Sequence, residues 1–208
     1  MIEAVLWDFG GVILSSPFDA FNQFERDNEL PIDFIRTVNS TDLHANAWAR
    51  LERSEISAAE FDVLFADEAH TLGHRVSGSD VLGLLSGSVR AEMVEALDRV
   101  IAAGYKTACL TNNVSAADAD EARAAAIADV LARFDAVIES SKVGVRKPEP
   151  RFYELACVTL DVLPEACVFL DDLGVNLKPA AAMGMRTIKV GDPAVAIAEL
   201  FSILELDA

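Results

Sequence analysis

The chain has 208 residues, is 52% hydrophobic, and carries 34 acidic against 17 basic side chains, a net charge of −17 with histidine neutral. That length suits one domain, or one domain with a sizeable insertion, and the apolar share is enough for a buried core. So acidic a surface repels phosphate backbones, which argues against nucleic-acid binding and requires that an anionic ligand be met by a local metal ion or lysine.

The three cysteines, Cys109, Cys157 and Cys167, are odd in number, form no C-x-x-C pair and sit in apolar runs. Reduced, buried thiols are expected, and with them a cytoplasmic location. No stretch is long and apolar enough for a membrane span, and Asp8 interrupts the first apolar run too early for a signal peptide.

Val5-Leu6-Trp7-Asp8-Phe9-Gly10-Gly11-Val12 reads as a short buried strand that ends on a carboxylate and a glycine-rich turn. Glycines there let backbone approach a ligand, and free N–H groups past a strand tip can bind an anion. The plainer reading makes Asp8 an ordinary turn residue. Ser15-Ser16-Pro17 is a turn and helix start. From Phe18 to about Ser88 helices follow one another: Phe18, Phe21 and Phe24 on the first, Pro31 opening a second, Trp48, Leu51 and Glu52 on a third. Ser57 and Glu60 have capping-box spacing, and Phe61, Leu64, Phe65 and Leu72 mark an apolar stripe. Residues 16–88 are therefore expected to form a helical insertion, with residues 1–15 and 89–208 as the remaining α/β domain.

Strand and helix then alternate. A helix over residues 91–103 has Met93, Leu97, Val100 and Ile101 on one face and stops at Gly104. Tyr105 to Thr111 is a strand, Ala116 to Leu131 an alanine-rich helix, Phe134 to Ile138 a strand, and Pro150 to Leu160 a helix with proline in its first turn. Ala166 to Leu170 is a fully apolar strand ending in Asp171-Asp172. Leu177 to Ala182 is a helix, Arg186 to Val190 the last strand, and Ala194 to Leu204 the last helix. Such an order implies a parallel sheet covered on both faces, with ligands beyond the C-terminal strand ends. Three strands end in chemically loaded residues: Asp8, Thr111-Asn112 and Asp171-Asp172.

Taken with Lys147, these endings resemble the four motifs of the haloacid dehalogenase (HAD) superfamily. The resemblance covers nearly the whole chain. It is carried by Trp7-Asp-Phe-Gly-Gly-Val12, Leu110-Thr-Asn-Asn113, Phe134-Asp-Ala-Val-Ile-Glu-Ser140, Gly144-Val-Arg-Lys-Pro-Glu-Pro150 and Phe169-Leu-Asp-Asp-Leu-Gly-Val-Asn-Leu-Lys178. Within the superfamily the chain is most similar to the N-terminal phosphatase domain of soluble epoxide hydrolases and to the N-terminal domain of a mammalian acyl-CoA dehydrogenase. The resemblance implies a Rossmann-like α/β core with a small helical cap inserted after the first strand.

It also implies a Mg²⁺-dependent phosphatase for small phosphorylated metabolites, acting through an aspartyl-phosphate on Asp8. Asp172 and the Gly10 carbonyl would ligate the metal together with Asp8, with Asp171 and Asn176 acting through waters or behind it. Phe9, Gly10, Thr111, Asn112 and Lys147 would contact the phosphate. An acidic pair at a strand end independently suggests a cation, while the plainer reading has Asp172 capping the helix through Lys178. Thr111 and Asn112 can also be helix caps. Lys142, Arg146 and Lys178 read as solvated charges.

At Gly10 most phosphatases of the superfamily carry a second aspartate that protonates the leaving group. Dehalogenases carry a tyrosine there and lack the paired metal aspartates, so Asp171-Asp172 argues against dehalogenation. A phosphate- or partner-binding domain without turnover is the non-enzymatic alternative. In the helical insertion Asp19, His44, Trp48, Arg50 and Glu52 are candidates to face substrate. His44, His70 and His74 assemble into no metal site by spacing, and the state of assembly, monomer or homodimer, is left open.

Overall fold

A computed structural model describes residues 1–85, 87–113 and 121–207. Among the described residues five strands form one parallel sheet in the order β3-β2-β1-β4-β5. They are β1 (Ala4–Trp7), β2 (Lys106–Thr111), β3 (Ala136–Glu139), β4 (Cys167–Asp171) and β5 (Arg186–Lys189). β1 lies at the centre. The strand order reverses between β1 and β4, where open α/β sheets bind their ligands.

Alternation along the strands sends side chains to two cores. Val5, Trp7, Cys109, Val168 and Leu170 pack with α6 (Ala91–Ala102), α7 (Glu121–Leu131) and α11 (Pro193–Leu204). Ala4, Leu6, Ala108, Leu110 and Phe169 pack with α9 (Pro150–Leu160) and α10 (Gly174–Ala182). All four residues of β1 are buried, as a doubly covered parallel strand requires. The three cysteines are free and buried, as their apolar settings imply.

Between β1 and α6 lie α1 (Phe18–Asp27), α2 (Phe34–Ser40), α3 (Ala47–Glu52), α4 (Ala58–Thr71) and α5 (Gly78–Gly83). They share a third core around Phe21, Ile35, Leu51, Phe61 and Phe65. The Ser57 capping box is formed on both sides. The chain leaves and re-enters the sheet region through one seam: Leu14 bridges Val89, Ser15 N–H donates to the Ser88 carbonyl, and Ser88 N–H donates to Ser15 Oγ.

Several sequence expectations shift. α2 starts at Phe34, because Asp33 holds a left-handed conformation after Pro31. Leu72, the C-cap residue of α4, and Ile101 of α6 are 40% and 36% exposed rather than buried in their helices' apolar stripes. The alanine-rich helix is seen from Glu121; its expected first residues, from Ala116, lie outside the described residues. β3 begins two residues later and ends one residue later than the expected Phe134 to Ile138, and α10 begins at Gly174, three residues before the expected Leu177. A short helix α8 (Ser140–Val143) follows β3 directly.

Candidate active site

β2, β1 and β4 are neighbours, so their C-terminal ends bring Thr111, Asp8 and Asp171 side by side. Asp8 follows β1 directly, and its N–H donates to the Leu170 carbonyl at 2.8 Å, which ties the β1 tip to β4. The chain then turns through Phe9–Ile13. Gly10 there has φ −74° and open space where a Cβ would stand, whereas Gly11 has φ +82°. A Cβ on Gly11 would sit 2.2 Å from Asp172 Oδ2. Gly11 therefore satisfies two demands: a left-handed backbone and close approach of the Asp172 carboxylate. The turn is also held from outside by Arg90, whose Nη1 donates to the Gly11 carbonyl at 2.8 Å.

Lys147 is buried beneath this turn, and its ammonium lies 2.6 Å from Asp8 Oδ1 and 2.9 Å from Asp171 Oδ2. Burial alone would pull the ammonium toward neutrality, but the carboxylates of Asp171 and Asp8 more than reverse this and keep it charged. Burial pushes the Asp8 carboxyl well above the usual carboxylate range; Lys147 opposes this, and Asp171 and Asp172 add to it. Asp171 is fully buried and already has donors on both oxygens: Lys147, Asn176 Nδ2 at 3.1 Å to each, and Leu173 N–H at 2.8 Å.

Asp172 differs. Burial, then the neighbouring Asp171, pushes its carboxyl up to about 6. The N-cap of α10 is Leu173, without a side-chain cap bond, so the helix-cap reading of Asp172 fails. Oxygens of Asp8, Asp171 and Asp172 come within 4.8 Å of one another, the one such acidic cluster among the described residues. Fully ionised, three carboxylates against one ammonium leave an excess of two negative charges (3 − 1 = 2), which a divalent cation with oxygen ligands would balance.

Thr111, the last residue of β2, is nearly buried beside β1. Phe9 buries its ring in the core, and its N–H donates to Asp8 Oδ1 at 2.6 Å. Asn112 was expected to offer its amide to phosphate. Here Oδ1 accepts from Lys147 N–H at 2.9 Å and Nδ2 donates to the Lys147 carbonyl at 3.0 Å, so the side chain clamps the lysine's main chain.

Arg146, expected to be a solvated charge, is instead buried and pairs with buried Glu52. The signal was its place in a proline-stiffened loop beside Lys147, but its partner lies 94 positions away. Among the other candidates of the helical segment, Asp19 and His44 are exposed, and Trp48 and Arg50 half-buried. Arg90, which anchors the turn, lies outside every motif the sequence offered, and Ser140, which anchors the Glu52 carbonyl, closes the motif over residues 134–140 but had no role assigned to it.

A family model described as haloacid dehalogenase-like hydrolase matches residues 2–184. The chain belongs to the haloacid dehalogenase-like hydrolases. Among curated HAD relatives, acyl-CoA dehydrogenase family member 10 of Mus musculus is 33% identical over 97% of this chain and 19% of its own length. Bifunctional epoxide hydrolase 2 of Mus musculus is 31% identical over 96% of this chain and 38% of its own length. The chain thus spans well under half of either relative. A HAD-family enzyme of Bacteroides thetaiotaomicron, solved in complex with magnesium and inorganic phosphate, shares the fold with a TM-score of 0.58 at 18% identity, over 92% of this chain and 96% of that one. No described helix is long and apolar enough to cross a membrane.

Proposed function

We propose that this HAD-like hydrolase is a Mg²⁺-dependent phosphatase for small phosphorylated metabolites, with Asp8 as nucleophile. The observation that carries the reading is the meeting of Asp8, Asp171 and Asp172 at adjacent strand ends around a buried lysine. In the first step an Asp8 carboxylate oxygen attacks phosphorus, the bond from phosphorus to the alcohol oxygen breaks, and the alcohol leaves with the bonding pair. In the second, water attacks the aspartyl-phosphate, releasing inorganic phosphate and regenerating Asp8.

Lys147 cancels charge on Asp8 and on the arriving phosphate, while Thr111 and the Gly10 amide offer donors to phosphate oxygens; the Phe9 amide is engaged by Asp8 Oδ1 and orients the nucleophile. Asn112 contributes by holding Lys147. Asp8, Asp172 and the Gly10 carbonyl would hold Mg²⁺, with the already satisfied Asp171 orienting the group from behind. Bound there, the ion supplies the positive charge that lets two anions approach. Gly10 leaves no acid two residues after the nucleophile, so the leaving oxygen takes its proton from water or departs as an anion. Residues 16–88 act as the cap over the site, and the reduced cysteines suit a reducing compartment such as the cytoplasm.

The test is hydrolysis of p-nitrophenyl phosphate with and without Mg²⁺, beside chloride release from a chloroacid. Mg²⁺-dependent p-nitrophenol release supports the reading. Metal-independent chloride release would make it a dehalogenase, and phosphate binding without turnover a binding domain.

A further inference from the structure

We propose that Glu52, the last residue of α3, is a positioning residue for Lys147, acting across the boundary between the helical segment and the sheet. Its catalytic consequence rests on the phosphatase reading above. Glu52 is only 5% exposed and Arg146 6%. Glu52 Oε2 accepts from Arg146 Nε and from Asn112 Nδ2, the latter at 3.3 Å, and Oε1 accepts from Trp48 Nε1 at 2.9 Å. The Glu52 main-chain carbonyl accepts from Ser140 Oγ at 2.5 Å. Arg146 also donates to the Leu43 carbonyl at 3.0 Å. One carboxylate thus holds both the residue before Lys147 and the asparagine that clamps the Lys147 peptide groups.

The arrangement is more than docking. Burial raises the Glu52 carboxyl, and Arg146 opposes the rise. A buried ion pair that serves docking alone can often be replaced by well-packed apolar side chains of similar volume at little or no loss. A pair wired to a catalytic loop is not, because it fixes where the backbone sits. Lysine has a flexible four-carbon stem. When phosphate enters, the Lys147 ammonium must share itself between carboxylates and phosphate, so its main chain has to supply the fixed point. Asn112 holds that point directly, and Glu52 holds it at one remove.

The test is Glu52→Gln, which keeps shape and removes charge, with two readouts on the full chain. Hydrogen–deuterium exchange of the Lys147 amide, which donates to Asn112, should quicken about tenfold, while the amides of β1 keep their protection. With p-nitrophenyl phosphate and Mg²⁺, kcat should fall about 10- to 100-fold with KM within about threefold, the range expected when a reacting group is slightly misplaced. Arg146→Lys should shift both readouts in the same direction, and it carries the test if Glu52→Gln does not fold. Unchanged Lys147 exchange overturns the proposal, and so does faster exchange with wild-type kcat. A wild-type chain without turnover overturns the phosphatase reading alone, since amide exchange still decides whether Glu52 holds the lysine loop.

Discussion

Gly10 and Gly11 are neighbours with opposite tolerances. Gly10 has φ −74° and open space where a Cβ would stand, so a side chain can begin there without backbone strain. Gly10→Asp should add a proton donor beside the nucleophile. A positioned general acid contributes about 10²–10⁴-fold, and a newly placed one should recover part of that. We expect turnover of alkyl phosphates to rise about tenfold and that of p-nitrophenyl phosphate much less, since its leaving group needs no acid. An equal rise for both substrates would refute the acid role. Gly11→Ala should do the reverse: its Cβ would strike Asp172, and φ +82° adds strain. Mg²⁺-dependent turnover should drop about 10- to 100-fold, with apparent Mg²⁺ affinity falling in titration calorimetry. The sequence could place two glycines after Asp8 but could not say which one tolerates a side chain, because that depends on φ and on a residue 161 positions away.

At the level of elements, local chemistry was the legible part. The Ser57 capping box, Pro150 opening α9 and the aromatic stripe of α4 all follow from short-range rules. Ser57→Ala should cost about 1 kcal/mol and lower Tm by about 2–4 °C, read by thermal denaturation. Phe61 is fully buried and packs edge-on against Trp48 at 5.7 Å between ring centroids. Phe61→Ala should cost about 3–5 kcal/mol. Because Trp48 donates to Glu52, that loss should also reach the lysine loop. The Arg146 burial and the Asn112 clamp were not legible. Each depends on elements far apart in sequence that meet only once the sheet order and the helical segment are in place. The strand-tip residues Asp8, Thr111 and Asp171 were legible for the opposite reason: a parallel sheet aligns its C-terminal ends whatever the side chains beyond them.

For the whole molecule, charge is the dominant property. With a net charge of −17, the surface opposes the approach of anionic substrates, and salt screens that opposition. The kcat/KM for a doubly charged phosphate should therefore rise severalfold between about 10 mM and 150 mM ionic strength at saturating Mg²⁺. A fall would point to a local positive funnel. Metal should also stabilise the fold by relieving repulsion among Asp8, Asp171 and Asp172. At about 100 times its dissociation constant a ligand adds about 2.7 kcal/mol, which for a chain this size is a Tm rise of about 5–10 °C. Mg²⁺ should give that rise, EDTA should remove it, and Asp172→Ala should show neither.

The seam at Leu14–Val89 and Ser15–Ser88 means that a long stretch of chain begins and ends at one spot. Its two ends meet the sheet region together, and its interior touches that region again through Glu52. Another helical segment could be spliced between residues 15 and 88 with the seam kept, provided that it replaces the contacts this one makes to Asn112, Ser140 and Arg146. The charge pairing is the strictest of these. The incoming segment must present a carboxylate to Arg146, or the arginine is left buried without its counter-ion. Chimeras built with and without that carboxylate should separate sharply in soluble yield, so the seam sets where a graft can be made and Arg146 sets which grafts survive.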